Sequence, residues 1–243
     1  MSHILFHIPH SSTKIPKKFW NICIKNKDYI QKSNIFLSDL LMDKLAPNKS
    51  HKLIFKYSRI FCDVEKFKED KKETMSKKGM GVIYTKDCYN TITVPTSKYK
   101  KYIIKSYYDK HHNKLDKIVT NILKKYNKCL IIDLHSYSDE MVKKLFNIDN
   151  NSDICIGTDN FYTDKELVDF TINHFKRYGY SVAINAPYSG TIVPNKYYNK
   201  NDKRISSIMI EVNRRIYLNN KDDFYKLKEC LEDYYKEISI NQS

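Results

Sequence analysis

Residues 129–135, Cys-Leu-Ile-Ile-Asp-Leu-His, constrain the fold of this chain more than any other stretch. A run that is apolar at odd and even positions alike has no face to give to water. It therefore predicts a strand covered on both sides, as in the middle of a parallel sheet. Polar residues enter only towards its end, at Asp133, His135 and Ser136. Strand-like segments recur at His3–Ile8, which stops at Pro9, and at Leu53–Tyr57, Ser152–Gly157, Tyr180–Asn185 and Ile208–Asn213. Helical periodicity lies between them. Tyr99–Tyr126 carries a stripe of Ile103, Ile104, Tyr107, Leu115, Ile118, Ile122 and Leu123. Asp164–Tyr178 is amphipathic and runs into Gly179, and Phe224–Ile238 closes the series. Ser38 reads as the residue before a helix over 39–45, and Asp63–Gly81 as a mobile, Lys-rich loop. Alternating strands and helices predict one α/β domain over 1–243, three-layered, with a mostly parallel or mixed central sheet and helices on both faces.

The formal net charge of +15 raises the question of a polyanionic partner. Of 43 basic residues only 5 are Arg, alongside 21 Asn and 3 Ala. Nucleic-acid readers rely on the planar Arg fork, so this makeup reads as composition drift on a solvated surface, and no nucleic acid is expected. No stretch approaches the ~18 apolar residues of a membrane span, and no signal peptide is visible at the start. The cysteines at 23, 62, 88, 129, 155 and 230 form no CxxC pair. They read as reduced thiols of a cytoplasmic protein, a monomer or small homo-oligomer, with no membrane partner.

In an open α/β sheet, ligands gather at the carboxyl ends of the strands. His10, His135, Asn185 and Glu211 all fall there by the reading above. Two histidines distant in sequence can share a zinc ion, and Asp133 is placed to orient the His135 ring. A third ligand is needed. Asp39 is the candidate, although a helix start favours a carboxylate there in any case; His7, Asp43 and Glu65 are rivals. Glu211 interrupts an apolar strand, a costly position unless the carboxylate is paired or functional. Beside metal-activated water it can serve as general base and then protonate a leaving amine. Arg59, Arg214 and Arg215 stand out in a chain whose cations are nearly all Lys, and their forks suit a substrate carboxylate.

These residues resemble the N-formylglutamate amidohydrolase family. The likeness rests on Ile8-Pro-His-Ser-Ser12 with Ile15-Pro16, on Ser38-Asp39, on Tyr57-Ser58-Arg59 with Asp63, and on His112-Asn-Lys-Leu115. It continues through Asp133-Leu-His135-Ser136, Asn185-Ala-Pro-Tyr-Ser-Gly190 and Glu211-Val-Asn-Arg-Arg-Ile-Tyr217. The blocks run in order over residues 8–217. The resemblance implies a zinc-dependent exopeptidase (phosphorylase/hydrolase-like) fold, one Zn2+ per chain and hydrolysis of N-formyl-L-glutamate or a related small anionic N-acyl amino acid. It further implies Arg59 or His112 at the oxyanion, with Asn185, Tyr188, Gly190, Arg214 and Arg215 around the substrate. A zinc carboxypeptidase or amidase acting on peptides or cell-wall fragments is the alternative on the same fold, and a non-enzymatic polyanion-binding protein the alternative outside it.

Overall fold

The computed structural model describes residues 2–24, 26–87, 90–149 and 152–241. In chain order the elements begin with β1 (Ile4–Ile8), α1 (Lys17–Cys23), α2 (Lys27–Leu37), α3 (Met42–Leu45) and β2 (His51–Ile54). A 3-10 turn (Thr74–Lys78) precedes α4 (Ser97–Ile103), which a π-helical turn joins to α5 (Asp109–Tyr126). Then come β3 (Cys129–Tyr137), α6 (Asp139–Phe146), β4 (Ile154–Gly157), α7 (Lys165–Arg177), β5 (Val182–Ile184), β6 (Ile205–Asn213) and α8 (Lys221–Asn241). The chain divides into two compact units. One combines Met1–Ile8, Leu41–Leu53 and Asp116–Ser243; the other combines Pro9–Leu40 and Ile54–Leu115.

The first unit is built on a six-stranded sheet of order β2-β1-β3-β6-β4-β5. The pairs β1–β3, β3–β6 and β4–β5 are parallel, while β4–β6 is antiparallel, so the sheet is mixed and the chain is α/β. All nine residues of β3 are buried, as its two-sided apolar run requires. The register then ranks polar groups in rows. His7, Asp133, Met209 and Gly157 pair across β1, β3, β6 and β4. His135, Glu211, Cys155 and Ala183 pair across β3, β6, β4 and β5. Paired residues project from the same side and strand residues two apart share a face, so both rows occupy one face of the sheet. Helices α6 and α7 start on capping side chains. Ser138 accepts from Met141 N at 3.2 Å, and Asp164 accepts from Leu167 N at 2.7 Å. Gly179, at φ +83°, ends α7 in the left-handed conformation that helix termini favour.

The second unit has an aromatic core in which Phe19, Phe55, Phe61, Ile103 and Tyr108 pack with Cys23, Cys62 and Val64. Phe61 meets Phe19 edge-on at 5.1 Å and Tyr107 at 4.7 Å. Helix α2 is absent from the sequence reading because its buried face is partly polar. Ser33 donates to Asp87 at 2.5 Å, and Asn34 donates to Thr13 O at 2.6 Å while accepting from Ser58 Oγ at 2.6 Å. The expected helix over 39–45 is only α3, and Ser38 is instead the C-cap of α2. The strand expected at Leu53–Tyr57 lies at His51–Ile54. The Lys-rich segment is folded rather than a bare loop. Buried Glu73 caps its 3-10 turn by accepting from Met75 N at 3.0 Å, and it also accepts from Phe67 N at 3.3 Å. Among the described residues, no helix is long and apolar enough to cross a membrane.

Cys23, Cys62, Cys129, Cys155 and Cys230 are free and buried; Cys88 lies outside the described residues. Burial pushes the Cys129 and Cys230 thiols up to about 12 and Cys155 to about 11. Thiolate is the reactive form, so these groups are inert in the folded state. Titration of native protein with a chromogenic disulfide at pH 8 is expected to consume at most one thiol quickly, and the five named thiols only after denaturant is added. Rapid reaction of three or more would contradict the packing described.

Candidate active site

In the first unit the chemistry gathers on Asp133. Its buried carboxylate receives His7 Nδ1 at 2.8 Å and His135 Nε2 at 3.1 Å on Oδ1. The Ile192 backbone N–H donates to Oδ2 at 3.1 Å. Burial alone would raise the pKa of Asp133, but the two histidines outweigh it and hold the carboxyl far below the usual carboxylate range. The orienting partner expected for His135 is therefore Asp133, two residues back on the same face of the same strand. Glu211 is buried on β6 and is the register partner of His135.

Around this row, Arg214 is buried and donates from Nε to Ser136 Oγ at 3.2 Å. Arg215 has its fork occupied: one nitrogen meets Asp139 at 2.8 Å and the other Asp153 at 3.0 Å. Asn185 sits at φ 54° just beyond β5, and its side chain clasps Thr158, accepting from the backbone N–H at 2.9 Å and donating to Oγ1 at 2.8 Å. The Tyr188 ring packs edge-on against Tyr137 at 5.7 Å and Phe146 at 5.4 Å, and its carbonyl accepts from Cys155 Sγ at 3.3 Å. Gly190 turns the same segment at φ +86°. Asp43, a rival ligand in the sequence reading, faces Lys44 at 3.4 Å in a partly exposed pair.

In the second unit a matching centre forms around Asp63. This fully buried carboxylate accepts from His10 Nε2 at 2.8 Å and Glu65 N at 3.1 Å on Oδ1. On Oδ2 it accepts from Arg59 at 3.1 and 3.2 Å and from Tyr84 OH at 2.9 Å. His10 Nδ1 faces Asp39 Oδ2 at 3.6 Å and Glu65 Oε2 at 3.7 Å. Burial and the Arg59 charge disfavour protonation of His10, but Asp63 and Asp39 outweigh them and raise its pKa. Asp39 follows the C-terminal end of α2, the end a helix dipole makes unfavourable for a carboxylate, and its N–H donates to His10 O at 2.9 Å. The helix-start explanation of Asp39 thus falls away, and its neighbour is His10. His112 donates from Nε2 to Val64 O at 2.7 Å and lies over Tyr108 at 4.3 Å between ring centres.

The sequence marks Asp63 only as part of a family block, and Tyr84 only within Gly79–Thr85, a stretch that could bear on substrate specificity. Asp63 carries the signal that singled out Glu211, a carboxylate set in an apolar run, here Ile60-Phe61-Cys62-Asp63-Val64. Tyr84 carries none. His10 and His135 share one chemical setting: each has Nε2 bound to a buried carboxylate. Histidine and carboxylate donors of this kind suit zinc, and orienting carboxylates are the usual companions of zinc-bound imidazoles.

The depressed pKa of Asp63 sets a pH dependence for the metal-free protein. Its folded value lies below the unfolded one, because the charges of His10 and Arg59 outweigh its burial. The stabilisation is complete above the ordinary value of about 4 and is lost as pH falls through the folded value. Asp63→Asn is expected to cost about 3–5 kcal/mol at pH 7, the scale for breaking a buried charge network. Urea unfolding should show the gap to wild type narrowing below pH ~4; a gap constant with pH would contradict the charged network.

The profile of the N-formylglutamate amidohydrolase family matches residues 2–218. The fold is similar to the crystal structure of an N-formylglutamate amidohydrolase from Ralstonia eutropha JMP134. The TM-score is 0.85 at 20% identity, over 99% of this chain and 94% of that one. It is also similar to the structure of gene product Atu2144 from Agrobacterium tumefaciens, with a TM-score of 0.74 at 18% identity over 100% and 92% of the two chains. At these identities the structural likeness is one of fold. No curated protein sequence matches the chain.

Proposed function

Since this chain belongs to the N-formylglutamate amidohydrolase family, whose name denotes amide hydrolysis, we propose that it cleaves the N-acyl amide of a small acidic amino acid. N-Formyl-L-glutamate, split into formate and L-glutamate, is the first substrate to test. The observation that carries the reading is the row in which His135, its Nε2 committed to Asp133, pairs in register with Glu211. A buried histidine and a buried glutamate side by side at the end of two parallel strands suit a metal ligand next to a general base.

The ligands proposed for the metal are His10 and His135, with Asp39 or Glu65 as the carboxylate. A zinc ion bound there would act as a Lewis acid on the scissile carbonyl and make a water more acidic.

The remaining roles belong to the chain's own groups. Glu211 takes a proton from the attacking water and returns it to the amide nitrogen as the C–N bond breaks, giving a carboxylic acid and an amine. Arg59 is the better oxyanion donor. Its Nη1 makes only a long 3.4 Å bond to Leu37 O, which a substrate oxygen can replace. His112 already commits its Nε2 proton to Val64 O, so that proton is not offered to an oxyanion. Arg214, steadied by Ser136, is assigned a substrate carboxylate, with Asn185, Tyr188 and Gly190 forming the segment beside it. Arg215, held between Asp139 and Asp153, fixes the turn that carries Arg214.

Replacing Glu211 by Gln is expected to lower kcat/KM by at least ~100-fold while metal content stays at one ion per chain. Unchanged turnover would remove Glu211 from the reaction. His135→Ala should lose the ion as measured by elemental analysis. Full activity of wild-type protein stripped of metal would sink the metal-dependent scheme.

A further inference from the structure

Between β5 and β6 the chain runs as a strap, residues 185–192, fastened at several points of the first unit. Asn185 N donates to Ile156 O at 2.8 Å, and Cys155 Sγ donates to Tyr188 O at 3.3 Å. At the far end Thr191 Oγ1 and Ser207 Oγ lie 2.8 Å apart, Ser207 Oγ donates to Ile192 O at 2.7 Å, and Ile192 N donates to Asp133 Oδ2 at 3.1 Å. Between the two sets of fastenings the strap passes over Gly157, the last residue of β4. A β-carbon there would overlap the Gly190 carbonyl oxygen and the methyl of Met209. A methionine methyl can swing aside. A backbone carbonyl can move only by carrying Thr191 and Ile192 with it.

The consequence falls on Asp133. Its Oδ1 receives both histidines and its Oδ2 receives Ile192 N, so the backbone bond sets the rotation of the carboxylate and therefore the aim of Oδ1. We propose that Gly157 is a positioning residue: having no side chain, it seats the 185–192 strap low enough for Ile192 N–H to lock Asp133, and through Asp133 the rings of His7 and His135. The strap also carries Asn185, Tyr188 and Gly190, so one glycine ties the segment assigned to the substrate to the histidine assigned to the metal. The link to catalysis rests on the function proposed above; the link to ring orientation does not.

The test compares Gly157→Ala with Gly179→Ala in metal-free protein labelled with 15N-histidine. Gly179 has φ +83° and no atom within 4 Å of an added β-carbon, so its substitution strains the backbone without touching the strap. In wild type, the His7 Nδ1–H and His135 Nε2–H protons bonded to Asp133 should resonate at low field. Gly157→Ala should shift or abolish both while leaving His10 unchanged. Gly179→Ala should lower Tm and leave all three in place. With metal restored, Gly157→Ala should lose about tenfold or more in kcat, with little of the loss in KM, as expected for a misaligned catalytic group. Wild-type histidine signals in Gly157→Ala would overturn the proposal, as would equal shifts in Gly179→Ala. If Gly157→Ala does not accumulate, Ile192→Pro removes the N–H that reaches Asp133, along with the Ile side chain and the freedom of φ at that residue; it should move the same two signals, and unmoved signals there overturn the proposal too. A wild-type protein inactive on N-formyl and N-acetyl amino acids would defeat the functional reading alone, with the spectra still deciding this one.

Discussion

A carboxylate in the middle of a fully buried strand is tolerated only when donors surround it, and Asp133 is met by three: two imidazoles and one backbone N–H. Much of the first unit's arrangement follows from that requirement. β1 must lie beside β3 in the register that brings His7 level with Asp133. The segment after β5 must return across the sheet to deliver Ile192 N, and Gly157 must stay bare beneath it. The same chemistry recurs in the second unit, where fully buried Asp63 gathers His10, Arg59 and Tyr84. Two carboxylates, each gripping a histidine through Nε2, give both imidazoles a fixed tautomer and orientation before any ligand arrives.

The sheet was the most legible part of the sequence. A strand without a polar face announces itself, and the apolar run at 129–135 corresponds to the fully buried β3. The stripe read over 99–126 corresponds to α4, the π-helical turn and α5 in succession. Asp133 as partner of His135, and Glu211 in the same neighbourhood, follow from strand periodicity and the cost of burying charge. What the sequence hid are contacts between segments distant along the chain. The buried face of α2 is made by Ser33 and Asn34, whose hydrogen bonds reach Asp87, Thr13 and Ser58, so periodicity of apolar residues could not reveal it. Asp39 has helix-start neighbours in sequence, yet α2 ends before it, because Ser38 closes that helix with its own N–H on Asn34 O.

The charge of +15 also reads differently beside the structure. All five arginines have named partners: Asp63 for Arg59, Glu237 for Arg177, Asp202 for Arg204, Ser136 for Arg214, and Asp139 with Asp153 for Arg215. In a chain that uses Lys nearly everywhere, Arg persists where a planar fork binds oxygen from a fixed direction. Four of these five partnerships involve carboxylates of the protein itself, so most of the Arg content is structural. That narrows the search for the group that meets substrate to Arg214, and to the loosely held Nη1 of Arg59.

The central proposal is that this chain binds one metal ion with His10 and His135 among its ligands. Anomalous diffraction at the zinc edge, from crystals of zinc-loaded protein, tests it most directly. The account predicts a single strong peak within bonding distance of a ring nitrogen of each histidine and of one carboxylate, Asp39 or Glu65. No peak, or a peak that touches at most one of the two histidines, would contradict it.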